Sequence, residues 1–196
     1  MHIDAIGLLD TAQFIASSNC DKRPIGTDIS LLVIHNISLP PNEFGGDGVI
    51  ELFTNQIDPQ AHPYYQSLRE LKVSAHFFIR RDGTTIQFVS CNDRAWHAGV
   101  SRWRDKEQCN DYSIGIELEG SDITPFTDAQ YTTLITLTQC LCSHYPIKHI
   151  AGHSDIAPDR KTDPGPWFDW QRYTTGINRG DLFHAAGHVS IGHKKL

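Results

Sequence analysis

Ser30-Leu31-Leu32-Val33-Ile34-His35-Asn36 is the stretch on which the fold turns. Four apolar side chains stand at successive positions, without the in-out alternation of a strand that has one wet face. Such a run reads as a central strand covered on both sides, the kind found in α/β domains. It ends in a polar pair, His35-Asn36, and a polar pair at the end of a buried strand marks a candidate site.

Outward from this strand the pattern is mixed. Ser113 to Glu119 alternates, with Ile114, Ile116 and Leu118 on one face and Gly115, Glu117 and Glu119 on the other, which predicts a strand with one acidic face. Val73 to Ile79 and Thr85 to Val89 flank Arg80-Arg81-Asp82-Gly83, where Asp-Gly predicts a hairpin. Asp47 to Gln56 reads as a short helix, and Asp58 to Pro63 as a loop with two prolines. Thr127-Asp128-Ala129-Gln130 fits a capping box, after which Tyr131, Leu134, Ile135, Thr138, Leu141 and Tyr145 recur at helical spacing until Pro146. A short strand near Ile150 leads to Gly152-His153, then a loop from Pro158 to Pro166 and a final helix around Phe168 to Thr174. Hairpin and crossover connections together predict a single α/β domain, 1–196, with a mixed central sheet and helices packed against it. Its core spans about 30–175, whereas 180–196, with His184, His188 and His193, has no clear period and is expected to be a mobile tail.

Composition narrows the function. A chain of 196 residues with 39% hydrophobic content suffices for one core. The formal charge is 17 − 23 = −6 with the signs interleaved, which argues against nucleic acid as a partner. No apolar stretch approaches the roughly 20 residues of a membrane span, and the start, MHIDAIGLLDTAQ, lacks the features of a secretory signal, so a cytoplasmic location is expected. Cys20, Cys91, Cys109, Cys140 and Cys142 are odd in number and lack CxxC spacing, as expected of free thiols.

Eleven histidines are many for this length. A catalytic zinc takes three ligands from His and carboxylate and leaves a place for water. His35, His153 and Asp163 would supply that set, although the two histidines are 153 − 35 = 118 residues apart. In extended backbone, residues two apart point the same way, so Lys161 and Asp163 are expected to face one site together. Glu117 could take a proton from water, and Lys161 could stabilise an oxyanion. Other readings remain open at this point: a strand-end histidine is often structural, Asp before Pro is often a turn former, and Glu117 and Lys161 could be solvated charges. His76 is an alternative ligand or a core histidine bonded to a backbone carbonyl, while His62 and His149 read as loop or surface residues.

Five segments in this order, Leu32 to Pro41, Val73 to His76, Arg94-Ala95-Trp96-His97-Ala98-Gly99, Ile114 to Gly120 and Ala157 to Pro166, resemble the N-acetylmuramoyl-L-alanine amidases of family 2, in particular those acting on 1,6-anhydromuropeptides. The resemblance runs from about Leu31 to Trp170. It implies one zinc per chain on His35, His153 and Asp163, Glu117 as proton acceptor and Lys161 as transition-state stabiliser. It also implies the fold of peptidoglycan recognition proteins and phage lysozyme-type amidases. A muropeptide substrate, a role in peptidoglycan recycling and an influence on β-lactamase induction follow from the same resemblance. Asn36, Trp96, His97 and Lys72 fall on its substrate-lining segments. Lys72 and Gln108 stand where the family leads one to expect arginine, and only arginine grips a carboxylate with two parallel hydrogen bonds. A muropeptide sensor without hydrolysis and an envelope amidase are the competing functions. The complete ligand set argues against the first, the start of the chain against the second.

Overall fold

The computed structural model of the chain describes residues 1–179 and 183–184. Eleven strands occur among these residues: β1 Gln13–Phe14, β2 Cys20–Lys22, β3 Leu31–Ile37, β4 Phe77–Ile79, β5 Thr85–Gln87, β6 Asp93–Ala95, β7 Arg102–Trp103, β8 Lys106–Glu107, β9 Ser113–Glu119, β10 His149–Gly152 and β11 Phe183–His184. Four α-helices accompany them, α1 Gly48–Phe53, α2 Asp128–His144, α3 His153–Ile156 and α4 Trp170–Ile177. The main sheet has the order β1-β5-β4-β9-β3-β10-β11 and is mixed, β4 and β5 being antiparallel and β4, β9, β3 and β10 running parallel.

β3 and β9 lie at the centre because both are apolar enough to be covered twice. Leu32 and Ile34 of β3, with Ile114, Ile116 and Leu118 of β9, pack under Tyr131, Leu134, Leu137 and Leu141 of α2 and Tyr173 and Ile177 of α4. Leu31 and Val33 lie in the opposite layer with Ala98, Tyr112 and Ala151. His35 shares that second face by period two, as do Ser113, Gly115 and Glu117 of β9. α2 starts where the capping box requires, with Thr127 Oγ1 accepting from Gln130 N–H (3.1 Å) and Gln130 Oε1 accepting from Thr127 N–H (3.0 Å). The Gln130 amide then donates to the Glu119 carbonyl at 2.9 Å, fixing the helix against the end of β9.

The β4/β5 hairpin forms around Gly83, whose φ of +87° is open to glycine at no steric cost. Its first strand starts at Phe77 rather than Val73, because Ser74 is engaged elsewhere, donating from N–H to the Trp96 carbonyl (3.1 Å) and from Oγ to the Asn19 carbonyl (2.7 Å). The last helix begins at Trp170 rather than Phe168 because Asp169 caps it, accepting from Arg172 N–H at 2.9 Å. Pro63–Leu68 forms a 3-10 helix that follows the expected loop. His149 opens β10 instead of lying in a loop, whereas His62 is half-buried and caps the 3-10 helix. Of the tail expected to be mobile, Phe183–His184 pairs in parallel with His149–Ile150, and the rest of 180–196 lies outside the described residues.

Candidate active site

Register brings the distant histidines together. Ile34 pairs with Gly152 across β3 and β10, so His35 and His153, the next residues of each strand's chain, emerge side by side at the carboxyl ends of parallel strands. Clefts of α/β folds form at that edge. Glu117 is the register partner of His35 on the other side. His153 opens α3, a single turn not legible in the sequence, which Asp155 fixes by accepting from Gly152 N–H at 2.6 Å.

Three donor atoms meet here. His35 Nδ1 lies 2.9 Å from His153 Nδ1 and 3.0 Å from Asp163 Oδ2, and His153 Nδ1 lies 3.1 Å from the same oxygen. Tetrahedral zinc with bonds of about 2.0 to 2.1 Å wants donors roughly 3.3 Å apart, so the triangle has the right size for one ion. His153 Nε2 is 3.1 Å from the Ala98 carbonyl, which can only accept; in the neutral ring the proton is therefore on Nε2 and the Nδ1 lone pair faces the triangle. A lone pair and a carboxylate oxygen converging with a second imidazole nitrogen in a buried place form a site for a cation. Asp163 supplies the anionic donor: burial alone would raise its pKa, whereas N–H groups or positive charge turned toward it from His153 and His35, or a cation in their place, hold the carboxyl well below the usual range.

Glu117 is buried beside this triangle, with Oε1 4.0 Å from His35 Nδ1. Its Oε2 has no hydrogen-bond partner among the described residues. Burial, and then the charge of Asp163, push its pKa well above the ordinary carboxylate value, with Lys161 opposing. An unsatisfied buried carboxylate oxygen is costly to a fold and characteristic of catalytic positions. Lys161 and Asp163 line the same cleft, about 780 Å³ in volume, as the i, i+2 reading expects. The reading of Glu117 as a solvated charge is excluded by its burial.

The remaining expected residues divide. Trp96, Lys72 and Asn36 all line the cleft. Both N–H groups of the Asn36 amide are committed, to Asp122 Oδ1 (2.8 Å) and the Pro164 carbonyl (3.0 Å), so Asn36 secures the segment that carries Asp163. Lys72 is exposed and donates to Asn55 Oδ1 at 3.0 Å. Gln108 lies in an adjacent depression instead. His97 reaches the cleft wall, but its nitrogens face His35 Nε2 (2.9 Å) and Ser113 Oγ (3.1 Å). Ser113, Asp122 and Asn110, whose Oδ1 accepts from both His97 N–H (3.1 Å) and Ala98 N–H (2.8 Å), carry no signal in the sequence, because their role depends on neighbours far along the chain. His76 is the core histidine rather than a ligand, Nδ1 accepting from Gly115 N–H (3.0 Å) and Nε2 facing the Asp93 carbonyl (3.1 Å).

Burial drives His76 and His97 far below the ordinary imidazole pKa, helped by Arg23 and His35 respectively, and pushes His35 down to about 4, aided by His153. All three are neutral in the fold but take up protons in the unfolded chain below about pH 6.5. Their contribution to stability is therefore complete above pH 6.5 and is lost as pH falls below it, each group approaching a slope of about 1.4 kcal/mol per pH unit. Glu117, whose folded pKa is raised, works in the opposite sense. The urea midpoint of chelated protein should fall between pH 7 and 5.5, and a flat midpoint would contradict the assignment of three neutral rings.

Comparison with known proteins places this geometry. The family of N-acetylmuramoyl-L-alanine amidases matches residues 25–166. The chain is 55% identical over 169 residues, 85% of its length and 90% of the relative's, to the 1,6-anhydro-N-acetylmuramyl-L-alanine amidase AmpD of Enterobacter cloacae. The crystal structure of a selenomethionine AmpD derivative superposes with a TM-score of 0.88 at 52% identity, covering 90% of this chain and 99% of the other. The Escherichia coli N-acetylmuramyl-L-alanine amidase AmiD, in complex with its substrate anhydro-N-acetylmuramic acid-L-Ala-D-γ-Glu-L-Lys, gives a TM-score of 0.57 at 30% identity over 79% of this chain and 60% of the other. With its strand-edge triangle and buried carboxylate, the chain belongs to the N-acetylmuramoyl-L-alanine amidase family and within it resembles the AmpD amidases.

Proposed function

We propose that the chain is a zinc-dependent amidase that hydrolyses the bond between 1,6-anhydro-N-acetylmuramic acid and L-alanine in muropeptides, with one zinc per chain held by His35, His153 and Asp163. The observation that carries this reading is the triangle of donors 2.9 to 3.1 Å apart beside a buried carboxylate with a free oxygen. The names of its AmpD relatives and the substrate complex of AmiD support the choice of substrate.

A bound zinc supplies Lewis acidity and lowers the pKa of water to about 7. Glu117 accepts the proton of the attacking water at its free Oε2, since no neighbour competes for it. The attack places negative charge on the former carbonyl oxygen, and Lys161 stabilises that charge. Glu117 then returns the proton to the alanine nitrogen, which leaves as a free amine. Leu39, Leu52, Phe53 and Leu68 form an apolar wall of the cleft that limits water around the reacting atoms. Trp96 and Lys72 at the rim contact substrate, Lys72 as a point charge for a peptide carboxylate.

The reading extends to a role in peptidoglycan recycling. By removing anhydromuropeptides it would restrain β-lactamase induction, which a deletion strain would show. A cytoplasmic location agrees with five free cysteines, and no helix among the described residues is long and apolar enough to cross a membrane.

Incubation with anhydromuramyl-tripeptide, read by mass spectrometry, should release free tripeptide. A chelator should abolish the release and zinc restore it. Intact substrate in every arm would favour a muropeptide sensor, and undiminished release after chelation would remove zinc from the reaction.

A further inference from the structure

The proposed metal triangle leaves one question of proton placement: what keeps His35 presenting a lone pair at Nδ1? For His153 a carbonyl settles it directly. For His35 the answer is built from a chain of three buried groups, and the direction of each hydrogen bond follows from the last.

The chain ends at the Cys109 carbonyl, which can only accept, and Ser113 Oγ donates to it at 2.6 Å. A hydroxyl has one proton, so Ser113 Oγ must accept at its other contact, 3.1 Å away, from His97 Nε2. A neutral His97 with its proton on Nε2 has a lone pair on Nδ1. That atom is 2.9 Å from His35 Nε2, which therefore donates to it. His35, protonated at Nε2, turns a bare Nδ1 toward His153 and Asp163. Ser113, His97 and His35 are all buried, so protein groups supply these partners.

The setting of the His97 ring is fixed independently. Gly115, two residues from Ser113 on the same face of β9, lies under it, and a Cβ at Gly115 would stand 2.5 Å from His97 Cγ. Asn110 Oδ1 holds the His97 backbone from the other side at 3.1 Å. One face of β9 thus gives Ser113 to end the chain, Gly115 to seat the ring and Glu117 to face the reacting water.

We propose that His97 and Ser113 are positioning residues that fix the tautomer and orientation of His35 through a one-way hydrogen-bond relay ending on the Cys109 carbonyl. This deepens the zinc reading and rests on it for the ion, whereas the proton it assigns to His97 Nε2 does not require one. Outer partners of ligating histidines typically change metal affinity by about 10 to 100-fold when removed.

The test is zinc affinity, by competition with a chromophoric chelator, together with 15N NMR of the histidine rings. His97→Phe and Ser113→Ala are each expected to weaken zinc binding by about tenfold or more, whereas His97→Asn, whose amide oxygen still accepts from His35, should stay within about threefold of the parent. In the parent, with or without zinc, His97 should carry its proton on Nε2. A parent that binds no zinc defeats the metal reading and leaves the relay to be judged by tautomer alone. Parent-like affinity in both His97→Phe and Ser113→Ala overturns the relay, and so does a His97 protonated at Nδ1, which decides the matter even where a variant fails to fold.

Discussion

Glu117→Gln is expected to lower kcat by about 10² to 10⁴-fold while the protein keeps one zinc per chain. The amide is nearly the shape of the carboxyl group but cannot take a proton, so the change isolates the proton-accepting role from any role in holding the ion. Zinc content by emission spectroscopy and turnover of anhydromuramyl-tripeptide give the two readings. A variant that loses zinc would make Glu117 a ligand, and one that keeps its rate would remove it from the chemistry. The same substitution should raise the Tm of chelated protein at pH 7. Burial, then Asp163, raises the Glu117 pKa well above its ordinary value. The folded state thus holds this proton more tightly than the unfolded chain, and between the unfolded and folded pKa stability falls as pH rises. An ionised Glu117 is a burden on the metal-free fold, and glutamine is expected to remove it at the expense of turnover.

Lys161→Met should lower kcat by about 10² to 10³-fold, the usual effect of losing one oxyanion donor, which corresponds to roughly 2.7 to 4 kcal/mol. Methionine keeps most of the apolar stem and deletes the charge. If Lys161 acts on the transition state, kcat and kcat/KM fall together. A raised KM with unchanged kcat would instead assign Lys161 to ground-state binding, for example of a peptide carboxylate. Its place beside Glu117 and Asp163 on the cleft wall favours the first outcome.

The central strand, the hairpin, the long capped helix and the mixed sheet were legible in the sequence because each rests on a local signal: an apolar run, Asp-Gly, a capping box, period 3.6. The donor set was legible as residue types, but its meeting depended on the register of β3 with β10, which a sequence with 118 residues between the histidines does not display. Resemblance places His97 on a substrate-lining segment, and its ring does line the cleft, but the sequence does not show that its nitrogens point to His35 and Ser113. Ser113 looked like an ordinary strand residue. Both are defined by partners distant in sequence, and hydrogen-bond direction has no one-dimensional signature. The single turn at His153 has no sequence signature for a related reason: four residues are too few to show a helical period.

The order of the three donors along the chain has a consequence for biosynthesis. His35 emerges from the ribosome long before His153 and Asp163, and the strand that seats it cannot be completed on either side until β9 and β10 have been made. A nascent chain that stops short of His153 therefore carries only one imidazole of the proposed donor set, and loading is expected only after Asp163 has been made. Uptake at that stage would pull the whole sheet toward its folded form by mass action, so scarcity of the ion during growth should show first as a lower yield of the protein and only then as slower turnover.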